Sequence, residues 1–361
     1  MKDNIQNERI KRAFFHYLKE AKGRSDATIN AIEQAILHYQ DSRNNEDFAL
    51  FNQKKAVAFK EWLKNRAFKG KSLSIVSHYN YLRHLRTFFD WLSREPGYKS
   101  KIAPASIDFL RPLEKEARIA TQKQPRPFPT LEYVQKLTAT IKPDTEIALR
   151  DRALIAFTLL SGMRDQAIAS LPLGCINEET RTINQNPQKG VQTKFSKLIN
   201  STLFEFDPAL VEYFLEWVKR LKKQEYTPTD PLFPQARTEN SPDNLSFETA
   251  TNVSRAFWKG AGPIRKIFNK RSDEAGLPYF PPHAFRHLAV DLALKACKNG
   301  EQIKAISQNF GHEYIATTMY SYANFNDDQL SQILKSIDFQ KKNAPEHDKK
   351  LEQIRKILLD Q

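Results

Sequence analysis

Four blocks of apolar residues at helical spacing fill roughly the first quarter of this 361-residue chain, and a small helical bundle is the simplest way to bury them. Ile10, Phe14, Tyr17 or Leu18 and Ala21 form one stripe. Ile29, Ile32, Ile36 and Tyr39 form a second behind a Ser25 N-cap, and Ala56, Phe59, Trp62 and Leu63 a third. The fourth and longest, Ile75, Tyr79, Leu82, Leu85, Phe89 and Leu92, stops ahead of Pro96-Gly97. The polar, proline-punctuated run "EKEARIATQKQPRPFPT", Glu114 to Thr130, then reads as a linker. These boundaries give a helical domain over 1–113, a linker over 114–128, a second domain over 129–338 and a separable tail helix over 339–361.

The second domain reads as mainly α with a small antiparallel β-sheet. Thr130 caps a helix running from Leu131 to about Ile141, and "DTEIALRDRALIAFTLLSGMRDQAIASLPL" gives two helices broken at Ser161-Gly162. Thr and Ile runs within Arg181–Asp207 predict short antiparallel strands with a hairpin near Lys194 to Lys197. "PALVEYFLEWVKRLKK" is helical, a loop-rich stretch extends to about Thr249, and helices follow to about Ile333. The tail from Glu346 to Gln361 is amphipathic through Leu351, Ile354, Ile357, Leu358 and Leu359, which suits docking on a neighbouring copy or on its own domain.

Charge narrows the choice of partner. The chain carries 56 Lys and Arg against 42 Asp and Glu, a net of +14, and residues 1–124 hold 24 against 14, a net of +10. Such an excess suits a polyanion. Lys54, Lys55, Lys71, Arg83 and Arg86 lie between the apolar stripes and are candidates for tracking a phosphate backbone, although a solvated helix face has the same pattern. No apolar run approaches a membrane span, and the basic start lacks the apolar core of a signal peptide, so a cytoplasmic protein is expected. Cys175 and Cys297 are too few for a disulfide framework and lack zinc-ligand spacing, which predicts two reduced, mostly buried thiols.

Three islands in the second domain carry side chains fit for chemistry. Arg164 follows the break in "SGMRDQAIASL"; His283 precedes Arg286 by one helical turn in "PPHAFRHLAV"; and His312 opens "GHEYIATTMYSY", with tyrosines at 314, 320 and 322. Singly, each has an ordinary explanation in packing or ion pairing. Together, two arginines and two histidines beside only Asp165 and Glu313 make a cationic pocket suited to a phosphodiester.

The order "SGMR", "TKFSK", "HAFRH" and "FGHEYIATTMYSY" resembles the tyrosine recombinases, or phage-type integrases, over about residues 126–335, and the helical first part resembles that family's SAM-like core-binding domain. The resemblance implies an integrase-type α+β catalytic domain. It implies that Arg164 and Arg286 hold the non-bridging oxygens of the scissile phosphate, with His312 and His283 as further donors, and that Lys194 is the general acid. Tyr322 would attack phosphorus to give a 3′-phosphotyrosyl bond and a free 5′ hydroxyl. Ten residues separate His312 from Tyr322, where nine is commoner, and eight separate it from Tyr320, so Tyr320 stays open. Lys189 and Lys197 likewise stand near the hairpin, and Ala167 replaces the family's frequent Glu, leaving Asp165 or Gln166 to supply its contact. His287 reads as structural and Tyr314 as packing.

The expected activity is site-specific cutting and rejoining of double-stranded DNA to integrate, excise or resolve a mobile element. No metal, ATP or other cofactor is expected, because fixed guanidinium and imidazole donors meet the transition-state charge and the phosphotyrosine keeps the bond energy. The resemblance also implies a monomer that assembles into a homo-tetramer on DNA, clamps the duplex with both domains, and acts with or without accessory DNA-bending proteins. A type IB topoisomerase-like enzyme, a catalytically silent DNA-binding protein and a metal-dependent nuclease are the competing readings. The nuclease is disfavoured by the lack of a carboxylate cluster beside the basic islands.

Overall fold

A computed structural model of the chain describes residues 4–68, 71–122, 127–240 and 247–316, with 331, 332 and 335. The chain divides into two compact units, Met1–Gln124 and Pro125–Gln361. Among the described residues the fold is mainly helical with small antiparallel sheets, and no helix is long and apolar enough to cross a membrane.

In the first unit, α1 (Ile5–His16) runs into a π-helical turn at Tyr17–Ala21, followed by α2 (Asp26–Ser42) and α3 (Gln53–Asn65). Two-residue antiparallel strands, β1 (Ala67–Phe68) and β2 (Lys71–Ser72), lead to α4 (Ile75–Leu92), α5 (Pro104–Asp108) and α6 (Glu114–Thr121). Ser25 caps α2 as the sequence predicts, its hydroxyl accepting from the Thr28 N–H. The predicted stripes meet in an aromatic core: Phe51 stacks on Phe89 with centroids 3.8 Å apart, Phe48 meets Phe88 edge-on at 4.9 Å, and Tyr39 lies edge-on to Phe59 and Phe89. Burial there pushes the Tyr39 phenol up. Buried Asn7 closes the bundle end by accepting from the Phe48 N–H at 3.1 Å and donating to the Glu46 carbonyl at 2.9 Å. The first half of the run read as a linker is instead helical. Arg118 bonds Glu114 one turn earlier, and Glu116 pairs with Lys64 of α3, so the charges that looked like linker composition hold α6 in the first unit.

The second unit is built around α8. After α7 (Leu131–Thr140), capped by Thr130, α8 (Glu146–Ser161) is buried at every residue from Ala148 to Ser161. α9 (Asp165–Ala169) leads into a three-stranded sheet of β3 (Ile176–Asn177), β4 (Thr182–Gln185) and β5 (Ile199–Thr202), ordered β3-β4-β5 and antiparallel, with Gln185 opposite Ile199. α10 (Pro208–Lys223) follows, then β6 (Ala236–Asn240) paired antiparallel with β7 (Phe247–Val253), α11 (Gly262–Glu274), α12 (Pro282–Ala296) and α13 (Gly300–Asn309). β6 and β7 replace the loop expected before Thr249; Thr238, Thr249 and Thr251 suit a strand that polarity alone disguises.

One carboxylate buried in this core is paired with two arginines. Asp151 on α8 accepts from Arg150 at 2.7 and 3.0 Å and from Arg271 of α11 at 2.8 and 2.9 Å, and Arg150 also donates to the Pro234 carbonyl. One carboxylate thus ties α8 to α11. Cys175 is buried, whereas Cys297 is only half-buried because it ends α12 at the surface; burial pushes both thiols up.

Candidate active site

The break after α8 begins the site. Gly162 ends the helix at φ +55°, and a Cβ there would lie 2.1 Å from the Phe310 ring, so glycine is needed both for the backbone and for the space. Arg164 then sits in extended backbone immediately before α9, half-buried, and among the described residues its guanidinium has no hydrogen-bond or ion-pair partner.

Arg286, in the second turn of α12, is 2% exposed. Its Nη1 donates to the Gly162 carbonyl at 2.6 Å, and its Nη2 to the Phe310 carbonyl at 2.8 Å and to His312 Nε2 at 2.9 Å. A guanidinium only donates, so His312 accepts through Nε2 and carries its proton on Nδ1. His312 is 8% exposed and follows Gly311, whose φ of +68° turns the chain where a Cβ would strike Ile199.

The β-hairpin is fastened to the same place. Asn309 takes the Thr202 N–H at 2.6 Å and gives to its carbonyl at 3.0 Å, while the Ser201 hydroxyl donates to the Asn309 carbonyl at 2.8 Å. Gln166 links two further segments: its amide donates to Gln192 of the hairpin loop at 2.5 Å and accepts from the Ala261 N–H at 3.2 Å. Asp165 is paired with Arg265 at 2.9 Å. Both residues weighed as substitutes for the missing Glu therefore make tertiary contacts, to different partners.

The electrostatics converge on His312. Its pKa falls to about 3, first through burial and then through the positive charges of Arg286, Arg164 and Lys197. The hairpin lysine whose charge reaches His312 is Lys197, not Lys194, whose ammonium lies over the Phe195 ring at 4.8 Å. Lys189 stands apart in a 3₁₀ turn at Pro187–Lys189. His283 is exposed in the first turn of α12, one turn before Arg286, with its ring 4.8 Å from that of His287, which also faces Phe128. Tyr314 is 52% exposed rather than packed, because it lies in a bend beyond the buried Phe310–His312 turn. Tyr320 and Tyr322 lie outside the described residues, as does the 346–361 tail.

Of the proposed backbone contacts in the first unit, Lys54 and Arg83 are exposed. Lys55 is paired with Glu46 at 2.7 Å, and Arg86 with Asp90 and Asp108 at 3.7 and 3.8 Å. Lys71 lies on β2. Sequence reasoning missed Asn309 and Ser201, whose bonds run to main chain across the fold and leave no local pattern.

The positive charges of Arg286, Arg164 and Lys197 thus converge on a neutral His312, a grouping whose chemistry suits an anionic ligand such as a phosphodiester. Among the described residues, no three His, Cys, Asp or Glu side chains gather in a way that could hold a metal ion.

Comparison with known proteins places these residues in a wider context. The model of the phage integrase family matches residues 130–329. A tyrosine recombinase XerD from Listeria innocua is 25% identical over 313 residues, covering 84% of this chain and 90% of that one. Among solved structures, the Tn1549 transposon integrase in complex with transposon right end DNA superposes with a TM-score of 0.55 at 15% identity, covering 91% of this chain and 99% of that one. A lambda integrase dimer bound to a COC′ core site gives 0.57 at 13% identity, covering 93% and 98%.

The neutrality of His312 sets a pH signature. Unfolded, its imidazole takes up a proton near the ordinary value of 6.5; folded, it resists to about 3. The folded state therefore loses stability as pH falls through that window, since the unfolded chain binds more protons there. On going from roughly pH 7.5 to pH 5, the urea midpoint of the protein should fall further than that of His312→Gln. Equal falls would show that His312 is not held neutral.

Proposed function

The chain belongs to the phage integrase family and is a tyrosine recombinase, and we propose that it cuts and rejoins double-stranded DNA at specific sites through a covalent phosphotyrosyl intermediate on Tyr322. The observation that carries this reading is the convergence of the positive charges of Arg286, Arg164 and Lys197 on His312. A phosphodiester is the ligand whose charge and oxygens suit it, and the relatives solved with transposon right end DNA and with a COC′ core site support DNA as its source.

In this reading Arg164 and Arg286 hold the non-bridging oxygens, and their charge rises in value as the pentacoordinate transition state gains negative charge. The Tyr322 Oη–phosphorus bond forms as the bond from phosphorus to the 5′ oxygen breaks. The phenol proton passes to His283, the exposed imidazole, because His312 is held neutral as a weak base. The leaving 5′ oxygen receives its proton from a hairpin lysine. The sequence pattern points to Lys194, but the charge felt at His312 favours Lys197. Rejoining reverses these steps with a second 5′ hydroxyl, so the phosphotyrosine stores the bond energy and neither ATP nor a metal ion is needed.

The first unit, with exposed Lys54 and Arg83, supplies sequence-independent phosphate contacts. Exchange between two duplexes needs four active sites, which calls for a homo-tetramer on DNA, with the 346–361 tail as a docking segment between copies. A cytoplasmic location on the nucleoid follows from the substrate.

Two outcomes test this reading. Incubated in EDTA with fragmented DNA from around its own coding region and quenched in SDS, the protein should retain covalently bound DNA, and mass spectrometry should place the adduct on Tyr322. An adduct on Tyr320 would move the nucleophile, and a strict need for a divalent ion would overturn the metal-free mechanism. On a duplex of the recovered site, Lys197→Ala should slow cleavage by roughly 10²-fold or more, as loss of a general acid does. Replacing the leaving 5′ oxygen by sulfur should restore most of that loss, because a thiolate departs without a proton. Rescue of Lys194→Ala but not Lys197→Ala would return the role to Lys194.

A further inference from the structure

The tip of the β4–β5 hairpin carries an unusual residue for a surface loop. Phe195 is 88% exposed, the highest value among the large apolar side chains left exposed in the described chain. Single exposed hydrophobics are ordinary on protein surfaces, so exposure alone carries nothing. Three further observations set this one apart.

The first is conformation. Phe195 and Ser196 occupy the left-handed region in succession, at φ +61° and +50°, where residues bearing a Cβ are disfavoured and glycine is the usual solution. The tip is held by the Thr193 hydroxyl, which donates to the Lys197 carbonyl at 2.7 Å. Strain fixed in place by a specific bond, with an aromatic ring turned outward, is a feature of functional loops.

The second is charge. Lys194 lies 4.8 Å above the Phe195 ring centroid, and Lys194, Phe195 and Lys197 are all exposed, so the tip presents an aromatic ring together with two lysines.

The third is position. β5 is bonded to Asn309, Ile199 packs on Gly311, and the Lys197 charge reaches His312. Phe195 lies two residues from Lys197, a span of at most ~7 Å. The hairpin that carries this ring at its tip is thus fastened to the segment that leads into His312.

Building on the recombinase reading, we propose that Phe195 is a positioning residue that wedges against a base step beside the scissile phosphate, stacking on one base and loosening the stack where the strand is cut. Lys194 and Lys197 neutralise the flanking phosphates while the ring enters. Apolar wedges and aromatic platforms are established ways for a protein to open or grip a base stack. Loosening the step lets the 5′ end leave after cleavage and return for rejoining, and it selects for steps that unstack easily.

The test uses a duplex of the site recovered by covalent trapping, with 2-aminopurine placed in turn at each base flanking the cleaved phosphate. Bound to Tyr322→Phe protein, which holds the duplex uncleaved, one of these positions should brighten. The added change Phe195→Ala should abolish that signal, and Phe195→Trp should restore it. In otherwise wild-type protein, Phe195→Ala should lower adduct formation roughly 5- to 150-fold, the factor that about 1–3 kcal/mol of base–aromatic stacking represents. Phe195 is solvent-facing, so these variants keep the fold. Adduct yield reports the cleavage reading and base-analogue emission reports the wedge, so the two fail separately. An unchanged signal in Phe195→Ala would overturn the wedge. So would a variant that handles a single half-site normally and fails only to pair two copies, which would make Phe195 a contact between subunits.

Discussion

The Arg286 guanidinium holds the second unit's functional region together. It donates to the carbonyls of Gly162, at the end of α8, and Phe310, at the end of α13, and to His312 in the turn beyond. These groups come from two stretches of the chain far apart in sequence, and one buried cation bonds them together. A guanidinium taken out of water costs several kcal/mol unless its donors are satisfied, and each bond it makes to a carbonyl is worth about 1.5–3 kcal/mol as a charged hydrogen bond. The two glycines with positive φ permit this closure, one by admitting the Phe310 ring and the other by turning the chain past Ile199.

That arrangement divides the labour between the two arginines. Arg286 is already bound to the protein frame, so replacing it disturbs fold and chemistry together. Arg164 is half-buried and without a hydrogen-bond or ion-pair partner among the described residues, which suits the phosphate-holding role proposed for it. His312, surrounded by positive charge, remains neutral and contributes an imidazole rather than another cation. Gln166 and Asn309 then fix the hairpin that carries Lys197 and Phe195.

Much of this was legible in the sequence, for identifiable reasons. The helical stripes of the first unit, the Ser25 and Thr130 caps and the break at Gly162 are local signals, and local physics determines them. The cationic islands could be read because arginine and histidine without nearby acid are conspicuous. What escaped depends on tertiary contact. α6 looked like a linker until its charges found Lys64 and one another, and β6 and β7 looked like loop because polar strands lack an apolar alternation. The choice between Lys194 and Lys197 turns on how the hairpin sets each charge relative to His312, and the exposure of Tyr314 on where the chain bends after His312. Neither is encoded in spacing. The assignment of Tyr322 rests on the order of the motifs.

The central claim is that fixed positive charge meets the charge of the scissile phosphate, and neutralising that phosphate tests it most directly. On a duplex carrying a methylphosphonate at the cleaved position, one oxygen and its charge are gone. Arg164→Ala should cost about 10²- to 10³-fold in cleavage on the ordinary phosphodiester, the usual loss for one transition-state donor, and only a few-fold on the neutral analogue. An equal penalty on both substrates would mean that Arg164 serves the fold or the binding of DNA, and that the pocket does not work by matching charge.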